Sequence, residues 1–193
     1  MASAAVPYLT PEQYLEIERK AEVRSEYLQG EMFAMAGAGL NHNRIAGRTL
    51  AELSAALRGR DCDVTGSDMR VHVPATGLYT YPDVIVTCGP VQLLDKHQDT
   101  LLNPILIVEV LSLSTKNYDR GEKFQHYRSI PSFREYLVLA QDEIRAEHHV
   151  RQPDGSWLLR EFTSTTDVVH LTSVDCDLTL GDLYERVEFP PTA

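Results

Sequence analysis

The sequence predicts a single mixed α/β domain whose central sheet carries helices. Three observations lead there. Short runs with strand composition recur at 61–73, 80–88, 105–112, 134–140 and 144–150. Two longer stretches, 42–57 and 115–129, have near-helical spacing of apolar residues. The resulting order of helix, strands, helix and strands is that of a layered α/β domain. At 193 residues the chain is one domain, 1–193, large enough for a substantial core, with no internal repeat, low-complexity tract or linker.

The elements follow in order. In TPEQYLEIERK, Thr10 is an N-cap, Pro11 fits the first helical position and Gln13 closes a capping box. YLQGEMFAMAG reads as a turn and strand around Gly30. The next helix runs from His42 to Leu57, with Ile45, Leu50, Leu53, Ala56 and Leu57 on its apolar side, Asn41 as cap and Gly59 as stop. DCDVTGSDMRVHV, TYPDVIVTC and ILIVEVLS are strands. TKNYDRGEKFQHYRS is the second long helix, capped by Ser114 or Thr115 and stopped by Pro131. REYLVLA and IRAEHHV are strands, QPDGS turns the chain into WLLREFTS, and LTLGDLYERV holds a short helix at most.

Composition excludes several classes. An apolar fraction of 43% and a charged fraction of 24% are ordinary for a globular protein. No apolar run approaches the roughly 20 residues of a membrane span, and MASAAVPYLTPEQ does not resemble a signal peptide. Cys62, Cys88 and Cys176 are odd in number and scattered, which suggests neither a disulfide framework nor a metal knuckle and suits a reducing cytoplasm. The net charge of −10 argues against non-specific nucleic-acid binding, although charge can be local.

Within ILIVEVLS, Glu109 interrupts a run of Ile, Leu and Val. A carboxylate there requires a partner, a metal or access to water. Asp83 interrupts YPDVIV in the same way. Strand alternation puts Ile105, Ile107, Glu109 and Leu111 on one face, and Tyr81, Asp83 and Ile85 on one face of the preceding strand. If the two strands pair, their carboxylates converge at neighbouring ends and suit Mg²⁺, for which Mn²⁺ can substitute. On the following helix Asp119, Lys123 and Tyr127 stand at i, i+4 and i+8. A lysine beside such a metal orients or deprotonates water, or stabilises charge on a phosphorane-like transition state. Lys116 and Arg120 make this helix the place for phosphate contacts.

Each residue also has an ordinary explanation. Asp83 can serve a turn at a strand start, and Glu109 can form a buried ion pair with an arginine. Asp119 with Lys123 can be a surface salt bridge, and Tyr127 a core-edge aromatic. His42 can be a helix-start residue, and His148–His149 a strand pair without a role. There is no GxSxG elbow, Walker loop, HExxH or GxGxxG, and no cysteine stands in a nucleophile motif.

Taken in order, P82-D83, E109-V110-L111-S112, S114-T115, D119-R120, K123 and Y127 resemble the signature of the Uma-type restriction endonuclease family, within the PD-(D/E)xK nuclease superfamily. Q29-G30-E31 and His42 extend the resemblance, which covers roughly residues 10 to 185. It implies an αβββαβ restriction-endonuclease-like core with a central mixed sheet and extra C-terminal strands. It further implies a divalent metal and DNA phosphodiester hydrolysis, with Asp83 and Glu109 as ligands, the Val110 carbonyl as a third and Lys123 as the catalytic lysine. Leu111 stands where the superfamily motif has its lysine, so the resemblance requires the lysine to have moved to the helix. Leu113 and Leu137 depart where the family often has proline and tryptophan. Glu31 could complete a second metal site, and His42 could contact phosphate or metal. The expected activity is a Mg²⁺-dependent DNA endonuclease, and a homodimer suits the cutting of two antiparallel strands. The rival is a nuclease-fold module that binds DNA or protein without cutting. A third reading is a hydrolase of RNA or a smaller phosphodiester.

Overall fold

The computed structural model describes residues 8–112 and 116–189. Leu113 and the two candidate caps Ser114 and Thr115 lie outside the described residues. The chain opens with α1 (Pro11–Glu18), where Thr10 Oγ1 accepts the Gln13 amide at 3.3 Å and Gln13 Oε1 accepts the Thr10 amide at 2.9 Å. This is the expected capping box. β1 (Ser25–Leu28) and β2 (Glu31–Ala34) form a hairpin whose two loop residues, Gln29 and Gly30, have φ of 49° and 94°. Glycine serves that turn because positive φ costs it nothing. α2 (Leu40–Ala56) begins earlier than expected, with Gly39 rather than Asn41 as its N-cap. Asn41 is already helical and donates from Nδ2 to the Glu188 carbonyl at 2.8 Å.

The stretch 61–73 splits into β3 (Cys62–Gly66) and β4 (Arg70–Val73), joined by a turn in which the Met69 amide donates to the Gly66 carbonyl at 3.0 Å. Then come β5 (Leu78–Thr80), β6 (Val84–Cys88), β7 (Thr100–Leu101) and β8 (Leu106–Leu111). The second long helix is a composite: α3 (Lys116–Tyr118), a π-helical segment (Asp119–Lys123) and α4 (Phe124–Arg128). β9 (Glu135–Ala140), β10 (Ala146–Arg151) and β11 (Trp157–Phe162) follow. A hairpin of β12 (Val168–Leu171) and β13 (Cys176–Thr179) leads into α5 (Leu180–Leu183).

Apart from the β12–β13 hairpin, which is a two-stranded sheet of its own, these strands divide between two sheets. One has the order β11-β10-β9-β8-β6-β3, the other β2-β1-β5-β4-β7. β8 and β9 are parallel, and the composite helix is the crossover that such a pair requires. α2, β3, β6, β8, the composite helix and β9 therefore make an αβββαβ core, and β4, β5 and β7 are inserted within it. Alternation along β8 sends Leu106, Val108 and Val110 into a layer with Ile45, Leu53, Val169 and Leu183, under α2 and the C-terminal hairpin. Ile107 and Leu111 point the other way, into a second layer with Val71, Leu78, Phe124, Tyr127 and Tyr136. This second layer lies between the two sheets, and β8 is buried along its whole length because both faces are covered.

The cysteine reading needs correction: Cys62 and Cys88 form a disulfide. They are direct partners across the β3–β6 ladder, with Cα atoms 4.0 Å apart. A spacing of 26 residues conceals a neighbourhood that strand pairing creates. Cys176 remains a buried free thiol.

Glu135, fully buried on β9, fastens the C-terminal hairpin to the sheet. It accepts the amides of Thr172 at 2.8 Å and Ser173 at 3.2 Å, and the Ser173 hydroxyl at 2.7 Å. His148 Nε2 stands 3.5 Å from Oε1, at ion-pair rather than hydrogen-bond separation. Burial pushes this carboxyl up, but the contacts with His148 and Ser173 outweigh it and hold its pKa below the ordinary 4.5. The folded state thus binds fewer protons than the unfolded one, so this stabilisation is complete above the ordinary value and is lost as pH falls through the lowered one. Urea unfolding should show stability dropping below about pH 4.5, and Glu135→Gln should flatten that limb. At neutral pH the variant should unfold with about 1–3 kcal/mol less stability.

Candidate active site

β6 and β8 bring the two carboxylates together. The antiparallel register pairs Val84 with Val108, so Asp83, one step before β6, falls opposite Glu109. Residues so placed have Cβ atoms about 5 Å apart. Asp83 Oδ2 accepts the Val110 amide at 2.7 Å, which holds its side chain against β8. Pro82 and Asp83 lie between β5 and β6, where the chain passes from one sheet to the other.

Lys123 arrives from the π segment. Its Nζ lies 3.0 Å from Glu109 Oε1, 3.0 Å from Glu26 Oε1 and 3.4 Å from Asp119 Oδ1. A π turn adds a residue to each hydrogen-bonded loop and widens the helix, a feature frequent at functional sites. Here both Asp119 and Lys123 lie within it and are buried. Far from forming a surface salt bridge, each side chain is only 6% exposed. Tyr127, fully buried, donates its hydroxyl to Glu109 Oε1 at 2.9 Å. Tyr136 on β9 donates to the Asp119 backbone carbonyl at 3.0 Å and pins the π segment to the sheet.

The charges do not balance without help. Glu26, Asp83, Glu109 and Asp119 face a single ammonium and one histidine. Burial, opposed by Lys123 and reinforced by Asp119 and Asp83, pushes the Glu109 pKa up to about 8. For Lys123, burial acts downward, but Glu109, Glu26 and Asp119 outweigh it and hold its pKa well above the ordinary value. The ammonium therefore stays charged. His42 Nε2 is 3.2 Å from Asp83 Oδ2. Burial lowers its pKa, yet the hydrogen bond and charge of Asp83, with Asp119 and the Val110 backbone, raise it overall. Its Nδ1 is buried and has no partner among the described residues.

The structure thus gathers Asp83, Glu109, Lys123, His42, Asp119 and Tyr127. The buried partner of Glu109 is a lysine, where an arginine was the ordinary alternative. Glu31 is exposed at the head of β2, and none of these contacts reaches it. Arg120 forms a two-pronged ion pair with Glu147, at 2.8 and 3.1 Å, while Lys116 and Arg120 both line a small cavity with Asp142 and Glu143. Glu26 was missed. In SEYL it sits on an unremarkable strand, and its hydrogen-bond donor Thr80 and ion partner Lys123 come from other elements. The one available signal is alternation, which puts Glu26 with Leu28 on the face opposite buried Ser25 and Tyr27.

Asp83 and Glu109 supply hard oxygen donors from adjoining strands, which suits a magnesium ion that completes its shell with water and substrate phosphate. The surplus of carboxylate charge fits the same ion. Among the described residues, no three His, Cys, Asp or Glu side chains form a complete cage.

Comparison with known proteins gives a consistent picture. The family described as "Uma2: Putative restriction endonuclease" matches residues 11–181. An uncharacterized Synechocystis protein, slr1290, is 34% identical over 187 residues, spanning 97% of each chain. A second from the same organism, sll1609, is 38% identical over 161 residues, 83% of this chain and 91% of that one. Among solved structures, one titled as a "putative nuclease belonging to DUF820" from Anabaena variabilis superposes with a TM-score of 0.75. It covers 91% of this chain and 97% of its own at 16% identity, so the likeness is one of fold.

Replacing Lys123 by Met should remove the ammonium that Glu26, Glu109 and Asp119 share. Denaturant unfolding at neutral pH is expected to show a loss of about 3–5 kcal/mol. Part of that loss should be recovered as pH is lowered and the carboxylates take up protons.

Proposed function

The chain belongs to the Uma2 family of restriction-endonuclease-like proteins, and from that premise we propose that it is a divalent-metal-dependent DNA endonuclease. The observation that carries this reading is the convergence of Asp83 and Glu109, at facing positions on neighbouring strands, with the buried ammonium of Lys123. Carboxylates that hold a cation and a cation that stays charged are what phosphodiester hydrolysis uses. Its difficulty is the negative charge that accumulates on phosphorus oxygens.

Asp83 and Glu109 would hold the ion, with the Val110 carbonyl adjoining. When bound, the ion supplies Lewis-acid polarisation of the phosphodiester and a lowered pKa for water. The protein's own groups do the rest. Lys123, held charged by Glu26 and Asp119, donates to a non-bridging phosphate oxygen and stabilises the charge that builds as water attacks in line. Its raised pKa supports this role over that of a proton acceptor. Tyr127 orients the Glu109 carboxylate through its hydroxyl. His42, whose pKa burial lowers but Asp83 raises overall, stands beside the Asp83 carboxylate as a second nitrogen group at the site. Lys116 extends the phosphate contacts along the composite helix, and Arg120 would have to leave its ion pair with Glu147 to join it. A homodimer is the assembly that suits cleavage of both strands, and among the described residues no helix is long and apolar enough to cross a membrane.

A second reading, a module that binds DNA or protein without cutting, is favoured by the net charge of −10 and by the incomplete metal cage. Nicking of supercoiled plasmid separates the two, at low salt because phosphate contacts weaken steeply with ionic strength. Wild-type protein with Mg²⁺ or Mn²⁺ should nick, and Glu109→Gln should nick at least ~100-fold more slowly while remaining folded. Equal cutting by both would remove Glu109 from the mechanism. No cutting by either, with retained binding of the same plasmid, would favour the module.

A further inference from the structure

We propose that a cavity at the far end of α4 is a nucleic-acid-binding subsite, where Arg128 and Arg151 take backbone phosphates and Trp157 meets a base or sugar. This rests on the nuclease reading and adds a substrate contact outside the reacting centre. The cavity, about 430 Å³, is lined by Gln125, Arg128, Ser129, Arg151, Gly155 and Trp157. It brings together the C-terminal turn of α4 and the β10–β11 hairpin.

The chemistry of the lining is specific. Among the described residues, Arg19, Arg70, Arg120 and Arg145 each pair with a carboxylate. Arg128 and Arg151 do not: among the described residues neither has a carboxylate within 4.0 Å, although both line one cavity. No lining residue is acidic. The hairpin's own Asp154 is turned to the Ser156 amide and hydroxyl, at 2.9 and 2.6 Å. Two guanidiniums without a carboxylate partner among the described residues, beside the Gln125 side-chain amide, suit the tetrahedral oxygens of phosphate.

The aromatic element selects nucleic acid over a bare anion. The Arg128 guanidinium lies over the Phe124 ring at 5.7 Å, and Phe124 meets Trp157 edge-on at 5.1 Å. The indole is thereby fixed by Phe124 and Phe133 while keeping an accessible part in the cavity. Aromatic faces beside basic groups are the common means of holding a nucleic-acid strand, because every base offers a π-face. α4 joins this cavity to the reacting centre: Tyr127, next to Arg128, donates to Glu109 on the helix's inner side. One short helix then presents its inner side to the reacting centre and its C-terminal end to the cavity.

Trp157 is the only tryptophan of the chain, so its fluorescence reads this cavity alone. Metal-free protein in EDTA would be titrated with a single-stranded oligonucleotide, a duplex and inorganic phosphate. Binding of labelled oligonucleotide would be followed in parallel by anisotropy. The expected result is quenching by an oligonucleotide, with inorganic phosphate at equal phosphate concentration producing little change. Arg128→Ala with Arg151→Ala should weaken oligonucleotide binding about tenfold or more at low salt and reduce the salt slope by roughly 1–2. Equal binding by the double arginine variant overturns the subsite, as does quenching by inorganic phosphate to the same extent. If wild type nicks plasmid and the arginine variant binds and nicks equally well, the subsite falls and the nuclease stands. If wild type neither nicks nor binds nucleic acid, both fall.

Discussion

The Lys123 ammonium, buried among Glu26, Glu109 and Asp119, is the interaction on which the rest of the centre depends. A charge removed from water is tolerated only when its partners are close and themselves held, and each of these partners is held separately. Glu109 is gripped by Tyr127, Glu26 by Thr80, and the backbone beside Asp119 by Tyr136. Glu26 lies on the five-stranded sheet, Glu109 on the six-stranded sheet and Lys123 on the helix that joins β8 to β9. One ammonium therefore ties three layers at a point, and the apolar layer shared by the sheets surrounds that point with Ile85, Ile107, Leu111 and Phe124. Low polarity around the cluster strengthens every interaction in it and raises the cost of leaving any of them unmade.

Electrostatics also separates the roles of similar groups. Glu109 and Glu135 are both buried carboxylates on neighbouring parallel strands, yet their pKa values move in opposite directions. Glu135 receives neutral hydrogen-bond donors from a turn that has no other use for them, together with a nearby imidazole, and is held low. Glu109 stands among other carboxylates, and the single ammonium must be shared, so its pKa rises. The first arrangement fastens a fold. The second favours the uncharged acid unless a further cation stands nearby.

Much of this was legible in the sequence because local periodicity carries it. A carboxylate inside ILIVEVLS cannot be silent, strand parity sets the faces of Asp83 and Glu109, and helical spacing groups Asp119, Lys123 and Tyr127. The capping box at Thr10 and Gln13 is likewise a local signal. Contacts between elements were less visible. Parity says which face a residue takes but not which sheet its strand joins, so 61–73 did not reveal that β3 and β4 part company, and Glu26 carried no mark of its destination. Cys62 and Cys88 are neighbours only once a register is known. The π segment is invisible to a 3.6-residue period, although Asp119 and Lys123 within it were found by spacing. Glu31 was singled out by resemblance, and the geometry leaves it outside the cluster.

The parallel pairing of β8 with β9 has a consequence in time. Antiparallel neighbours can zip from a short turn, whereas this pair must wait for the whole crossover helix, and such distant pairings come slowly because loop closure precedes any gain from contact. Glu26 leaves the ribosome more than a hundred residues before β9, whose Tyr136 pins the π segment that carries Lys123. A chain still being synthesised can hold its early carboxylates in loose order, but it cannot position the ammonium among them. The centre is a property of the nearly finished chain, and a truncated product that lacks β9 is a polypeptide without the chemistry.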